Sequence, residues 1–306
     1  MIEAHSAPLT ALAEALGARA MHDTPLARNS GVGIGGPADL LVIARDRDEL
    51  AKIVRLAQET DVRWRIFGGL TNVLLPDSGL RGLVILNHAR RIYYDETKQH
   101  LTTESGAIAI KVARETVAKG WGGLTWAVGL PGTIGGAVVN NAGAFGGEIF
   151  RILIAADVLG PDGRIQSVGP DWFEFQYRYS KLKGTGEPWI VLAATFEMTL
   201  RDPAHLAEKA DEYTARRQRT QPPGRTLGST FKNPPKDYAG RLIEAAGLKG
   251  ARCGGCMISE KHANFFMNEG GGTAADFKAL IELAQIEVER QFNVRLEPEI
   301  EILPEE

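Results

Sequence analysis

Gly120-Trp-Gly-Gly-Leu-Thr-Trp-Ala-Val-Gly-Leu-Pro-Gly-Thr-Ile-Gly-Gly-Ala-Val-Val-Asn-Asn-Ala-Gly-Ala-Phe-Gly-Gly147 contains no charged side chain. A stretch this rich in glycine brings bare backbone N–H donors close to a bound anion or a planar ring. Its polar groups are Thr133, Asn140 and Asn141, and it reads as half of a cofactor cradle. Two other readings compete. A membrane span needs about 20 mostly apolar residues in a helix, and Pro131 with so many glycines would break that helix and leave amides unpaired in lipid. A glycine-rich corner of the core with no ligand is the more serious alternative.

Working outward, Ala38 to Ala44 is an apolar run suited to a buried strand, Leu50, Ile53, Val54 and Ala57 recur at helical spacing, and Arg63 to Phe67 and Leu83 to Leu86 read as further strands. This alternation predicts a small α/β section. A helix over Ala107 to Ala118, a hairpin over Ile152 to Val168 turning at Pro161-Asp162-Gly163, and a long strand from Trp189 to Leu200 follow, so the class is α+β. A third section opens near Asp202 with helices at about Ala204 to Gln218 and Tyr238 to Ala246, the latter stopping at Gly247. Thr273-Ala-Ala-Asp276 is a capping box for a last helix with Phe277, Leu280, Ile281, Ala284 and Val288 on one face. Val294, Leu296, Ile300 and Ile302 then alternate with Arg295, Glu297, Glu299 and Glu301, the pattern of a half-buried strand.

A chain of 306 residues exceeds what one core organises, so two or three domains are expected. Hydrophobic content of 44% and charged content of 24% are those of a soluble globular protein. A net charge of -3 gives no basic footprint for nucleic acid. Met1 to Gly17 lacks a basic head before an apolar run, which predicts a cytoplasmic enzyme rather than an exported or membrane protein. The two cysteines, Cys253 and Cys256, are spaced as half a zinc site or a redox pair, but no second pair or clustered His completes four ligands. Small buried thiols are the expectation, with no metal.

Gly31-Val-Gly33-Ile-Gly35-Gly36 contains the letters of a dinucleotide fingerprint in the wrong setting, since a strand-like run follows it and no strand leads in. Phe67-Gly68-Gly69-Leu70-Thr71-Asn72-Val73-Leu74-Leu75-Pro76-Asp77 does follow a strand, and its small residues, hydroxyl and amide suit a turn around a diphosphate. A tight turn without ligand is equally open. Two such loops suggest one long ligand.

These loops belong to a larger set of motifs. Gly68-Gly69-Leu70-Thr71-Asn72, Gly129-Leu-Pro131-Gly-Thr133-Ile-Gly135-Gly136-Ala137, Tyr177-Arg178, Gly228-Ser229-Thr-Phe-Lys232-Asn233-Pro234, Glu260-Lys-His262-Ala-Asn264-Phe265 and Leu296-Glu-Pro298-Glu299 occur in that order. Together they closely resemble the UDP-N-acetylenolpyruvoylglucosamine reductases, in the compact form that lacks a tyrosine-bearing loop, over about Asn29 to Leu303. The resemblance implies a two-domain FAD-binding fold of the vanillyl-alcohol oxidase type plus a third α+β substrate domain, divided here as 1–86, 87–201 and 202–306. It implies non-covalent FAD, NADPH as co-substrate and a UDP-sugar substrate. Gly68, Gly69, Leu70, Thr71, Asn72, Gly129, Pro131, Thr133, Gly135, Gly136 and Ala137 would then hold FAD, and Tyr177, Lys232 and Asn233 the UDP-sugar. Two departures stand out: Leu70 occupies the usual place of a third glycine, and Gly33 that of a basic residue.

The implied chemistry is reduction of an enolpyruvyl ether, which piles negative charge beside a carboxylate and calls for a fixed cation and a proton donor. Arg178 would meet the carboxylate, Ser229 would protonate carbon, and Glu299 would polarise or protonate the enolate, with burial among acids raising its pKa. From local sequence alone the better readings of Arg178 and Ser229 are a solvated arginine and a turn serine, and Glu299 reads as the wet side of an edge strand. His262 and Asn264 read as structural or supporting residues. A flavin-dependent oxidase of an alcohol or sugar and a non-catalytic nucleotide-sugar binding protein are the alternative functions.

Overall fold

The computed structural model describes residues 7–183 and 187–305, so the first six residues of the leader reading lie outside it. The described residues form two compact units interleaved along the chain. The larger unit gathers the described part of Met1–Met21 with Leu40–Gly69 and Gly82–Arg216; the smaller gathers His22–Asp39, Leu70–Arg81 and Arg217 onward.

In the larger unit, the helix Arg47–Glu59 starts at Asp46, whose carboxylate accepts the Glu49 amide at 2.8 Å. A carboxylate there satisfies one of the amides that a helix start leaves unpaired. Its apolar face, Leu50, Ile53, Val54 and Ala57, is buried with Leu40, Val42, Leu83 and Ile85 of the neighbouring strands. The strand Trp64–Phe67 pairs in parallel with Leu80–Asn87, from Trp64 opposite Leu83 to Phe67 opposite Leu86. These are the elements that periodicity predicts.

A second, antiparallel sheet in this unit has the order Ile165–Val168, Leu153–Leu159, Ile190–Glu197, His100–Glu104, Ile92–Asp95. The glycine-rich stretch packs into the same core through Trp121, Leu124, Trp126, Ile134 and Val138. The strand expected to run unbroken from Trp189 to Leu200 instead ends at Glu197. At buried Met198 the chain changes partner, and Thr199–Leu200 pairs with Trp121–Gly122. Alternation of residue type persists through such a switch, so sequence periodicity does not reveal it.

The smaller unit is built on an antiparallel sheet in the order Thr226–Ser229, Phe265–Asn268, Cys256–Ile258, Arg252–Cys253. The helix Ala274–Phe292 begins with the predicted capping box of Thr273 and Asp276 and buries Phe277, Leu280, Ile281, Ala284 and Val288. Asp77 reinforces its start by accepting the amides of Ala274 at 2.8 Å and Ala275 at 3.2 Å, placing negative charge at the positive end of the helix dipole. Cys253 and Cys256 face each other across the hairpin as free thiols, and burial pushes the Cys256 thiol up to about 12. The expected strand from Val294 to Ile302 is reduced to Glu301–Ile302, in parallel with Val73–Leu74, and a single bridge from Pro298 to Phe231. The pyrrolidine nitrogen of Pro298 cannot donate to a ladder, which limits pairing there.

Leu70 has a left-handed backbone, φ 48°, and is only 3% exposed. For an L residue that conformation costs roughly 1–2 kcal/mol, whereas emptying a buried leucine site costs about 2–5 kcal/mol. Burial therefore wins. Leu70→Gly is expected to lower unfolding free energy by about 1–3 kcal/mol in denaturant titration, although it relieves the backbone. A rise in stability would show that strain dominates.

Glu305 accepts the Ser78 amide at 3.0 Å, the Ser78 hydroxyl at 2.7 Å and the Lys278 ammonium at 3.1 Å. The Ser78 amide is the main reason its carboxyl is held down to about 2 from 4.5. A carboxylate depressed in the folded state stabilises fully above its unfolded pKa and loses that contribution as pH falls through its folded value. Thermal melts of Glu305→Gln are expected to fall below the wild type at neutral pH and to converge with it between about 4.5 and about 2. A gap that persists unchanged across that window would contradict this.

Candidate functional site

Gly68 and Gly69 follow the strand Trp64–Phe67, and Thr133 opens the helix Ile134–Val139, its hydroxyl accepting the Gly136 amide at 3.4 Å. Gly68, Gly69 and Thr133 all lie in the larger unit, and Gly68 and Thr133 meet. A Cβ placed on Gly68 would sit 2.1 Å from the Thr133 Oγ1, and one on Gly135 would sit 2.8 Å from the Ser105 Cβ. Neither position accepts a side chain, and this close approach is what glycine permits. Three backbone bonds fix the second loop: Ala109 to Gly132 at 3.0 Å, Ile134 to Ala107 at 2.9 Å and Gly135 to Ser105 at 2.7 Å. Gly129 and Pro131 flank Leu130, whose amide donates to Ala127, and Ala137 is buried beyond them.

Of the polar groups in the glycine-rich stretch, the asparagines serve the protein itself. Asn140 donates its side-chain amide to the Gly136 carbonyl at 2.9 Å and accepts the Lys183 ammonium at 3.0 Å. Asn141 donates to the Gln176 carbonyl and accepts the Phe150 amide. The first of these Asn141 bonds ties down the tight turn Gln176–Tyr179 that carries Tyr177 and Arg178. Arg178 has φ 56° and donates from Nη2 to the Gly143 carbonyl at 2.8 Å, with its guanidinium 5.0 Å from the centre of the half-exposed Tyr177 ring. The arginine is therefore held against the glycine-rich stretch, and its planar fork is suited to a carboxylate.

The smaller unit carries the other candidates. Gly31 donates to the Leu70 carbonyl at 2.9 Å, and its Cβ position lies 3.3 Å from the Thr71 Cα. The Gly31–Gly36 segment is thus a packed loop leading into a strand, with no helix to meet a pyrophosphate. At Gly33, φ 69°, the Arg225 side chain approaches to 3.0 Å of the Cβ position, so a cation occupies the space beside the missing basic residue. Asn72 donates to the Glu299 carbonyl at 3.2 Å and its own carbonyl accepts the Glu301 amide at 2.9 Å.

Ser229 ends the strand Thr226–Ser229 and Glu299 lies beyond the bridge at Pro298. Backbone bonds link their segments: the Glu299 amide donates to Thr230 at 2.8 Å, and the Lys232 amide donates to Glu297 at 2.9 Å. Both side chains are half-buried, and the intervening Thr230 hydroxyl is buried with no partner among the described residues. The Lys232 ammonium reaches the Glu297 carboxylate at 3.4 Å, and the Asn233 side-chain oxygen accepts the amide of Ala239, the first residue of a helix. Asn264, which sequence leaves in a supporting role, spans Phe231 with both ends of its side chain. His262 accepts the Asn264 amide at Nδ1, and burial first of all lowers its pKa below the usual 6.5. A solitary asparagine between a turn and an aromatic strand is the only sequence sign of this arrangement.

The larger unit fits a flavin dinucleotide on its own evidence. Gly68 lies too close to Thr133, and Gly135 too close to Ser105, for either to carry a side chain, and such backbone admits a diphosphate closely. The Thr125 hydroxyl and the Trp126 indole N–H nearby in sequence are buried without a partner among the described residues. Buried donors of this kind are rare unless a ligand or water takes them.

Residues 38–169 match the FAD binding domain family, and residues 218–303 match the C-terminal domain of UDP-N-acetylenolpyruvoylglucosamine reductase. The UDP-N-acetylenolpyruvoylglucosamine reductase of Rubrobacter xylanophilus is 43% identical over 94% of this chain and 96% of its own. That of Bacillus pumilus is 37% identical over 96% of this chain and 97% of its own. The crystal structure of the Thermus caldophilus enzyme superposes with a TM-score of 0.78 at 32% identity, covering 92% of this chain and 97% of that one. With similarity of this extent running through both the glycine loops and the Ser229–Glu299 ladder, the chain belongs to the UDP-N-acetylenolpyruvoylglucosamine reductase family.

Proposed function

We propose that the chain is an NADPH-dependent flavoenzyme that reduces the enolpyruvyl ether of UDP-N-acetylglucosamine to UDP-N-acetylmuramate for peptidoglycan synthesis, acting in the cytoplasm. The approach of Gly68 to Thr133 carries this reading, because it joins the two loops that would hold the cofactor. FAD, when bound, supplies a hydride taken from NADPH. Gly68, Gly69, Leu70, Thr71, Asn72, Gly129, Pro131, Thr133, Gly135, Gly136 and Ala137 hold it non-covalently. The three-part division at 86/87 and 201/202 assigns two sections to the flavin and the third to the sugar nucleotide.

Adding hydride to an alkene beside a carboxylate builds negative charge on the substrate, so the protein must supply positive charge and then a proton. Arg178 has its guanidinium fixed against Gly143 and faces the substrate carboxylate as a permanent cation. Ser229 gives its hydroxyl proton to carbon, a task for a weak acid only when the acceptor is strongly basic. Glu299 polarises or protonates the carboxyl side of the same system. Tyr177, Lys232 and Asn233 hold the UDP-sugar, Lys232 by exchanging its contact with Glu297 for phosphate oxygens.

The purified protein is expected to be yellow, to bleach with NADPH and to recover colour with the enolpyruvyl sugar nucleotide. Ser229→Ala should keep the bleaching step and lose about 10²–10⁴-fold in turnover, the usual range for removing an acid–base group. A colourless protein that FAD cannot reconstitute would defeat the reading. Peroxide release with an alcohol or sugar would make it an oxidase, and an unchanged Ser229→Ala would leave only binding.

A further inference from the structure

We infer that Asn264 is a positioning residue for proton delivery, because its side chain locks the one segment that joins Ser229 to Glu299. The inference rests on the proposed reductase function and concerns residues that do not touch substrate.

The strand Thr226–Ser229 pairs with Phe265–Asn268 only as far as Ser229 opposite Phe265, with an irregular register before that pair. Beyond it, Asn264 takes over as if it were further strand. Its carbonyl accepts the Thr230 amide at 2.8 Å, its side-chain oxygen accepts the Phe231 amide at 2.9 Å, and its side-chain nitrogen donates to the Phe231 carbonyl at 2.8 Å. Side-chain amides alone offer a donor and an acceptor in this arrangement without ionising. Asn264 is 3% exposed, so a lost bond leaves a buried backbone group without a partner.

The opposite edge of the same segment is held by Glu297 to Glu299, through Lys232 to Glu297, Phe231 opposite Pro298, and Glu299 to Thr230. Thr230–Lys232 is therefore gripped from both sides, and any slip moves Ser229 and Glu299 relative to each other. The Phe231 ring, fully buried against Phe266, resists rotation of the segment but fixes no register along it. The polar grip fixes register. The other end of Asn264 is set by His262, whose Nδ1 accepts the Asn264 amide. That bond keeps the imidazole proton on the far nitrogen, and its lowered pKa keeps it neutral, so the support persists at neutral pH.

The test uses FAD-loaded enzyme carrying Asn264→Leu, which keeps volume and removes both side-chain bonds, with Asn264→Asp as the variant that keeps the acceptor. Stopped-flow absorbance follows bleaching by NADPH and recovery with the enolpyruvyl sugar nucleotide in light and heavy water. Expected for Asn264→Leu are bleaching within about twofold of the wild type, recovery slowed at least about tenfold with a larger solvent isotope effect, and little further loss when Asn264→Leu is added to Ser229→Ala. Asn264→Asp should fall between. Recovery at the wild-type rate, or equal slowing of both steps, would overturn the inference. Hydrogen exchange of the same proteins decides it independently of activity: Ser229–Lys232 and Glu297–Glu299 should both exchange faster in Asn264→Leu, and protection unchanged at Glu297–Glu299 would refute the coupling. Should wild-type enzyme fail to recover colour with the sugar nucleotide, the proposed function falls and the exchange result still judges the positioning role.

Discussion

The close approach of Gly68 to the Thr133 hydroxyl is the constraint from which the larger unit's functional design follows. A single added carbon at Gly68 would lie 2.1 Å from Oγ1 and 3.0 Å from Cγ2, well inside contact distance. Threonine is branched at Cβ, so its rotation trades one clash for another and abandons the amide of Gly136. The end of the strand Trp64–Phe67 and the start of the helix Ile134–Val139 thus meet with the bare backbone of Gly68 against the Thr133 side chain. Everything else in that unit positions those ends: the parallel pair with Leu80–Asn87, the bonds from Ile134 and Gly135, and the aromatic core under the glycine-rich stretch.

The smaller unit solves a different problem with asparagine. Asn72 ties its loop to Glu299 and Glu301, Asn264 replaces a missing stretch of strand beside Phe231, and Asn268 donates to Val32 while accepting the amides of Gly270 and Gly272. An amide side chain satisfies buried backbone groups where regular pairing stops. Irregular backbone can then be rigid, and rigidity is what the proposed proton donor, a weakly acidic serine hydroxyl, needs if it is to meet one atom of a bound substrate. Arg178 follows the same logic on the larger unit, with its turn tied through Asn141.

Periodicity made most elements legible. Leu50, Ile53, Val54 and Ala57 announce a helix, and Thr273 with Asp276 announces another, because burial and capping act over one or two turns. The partner switch at Met198 and the shortened tail at Pro298 were not legible, since alternation says which face is buried and nothing about which strand lies alongside. Among candidate residues, Gly68 and Gly135 could be read as points of close backbone approach, because such approach demands glycine. The bonds made by Asn264 could not, since three-dimensional proximity to Phe231 leaves no mark in spacing. Leu70 is the instructive exception: its left-handed backbone favours glycine, and burial of the side chain offsets that preference.

As proposed, the Gly68–Thr133 contact forms part of the flavin cradle. Titration of FAD into flavin-free Gly68→Ala and wild-type protein, followed by fluorescence quenching, tests it directly. Affinity should be at least about tenfold weaker in the variant, about 1.4 kcal/mol, with the antiparallel sheet still intact by circular dichroism. Wild-type affinity in a folded Gly68→Ala protein would contradict it.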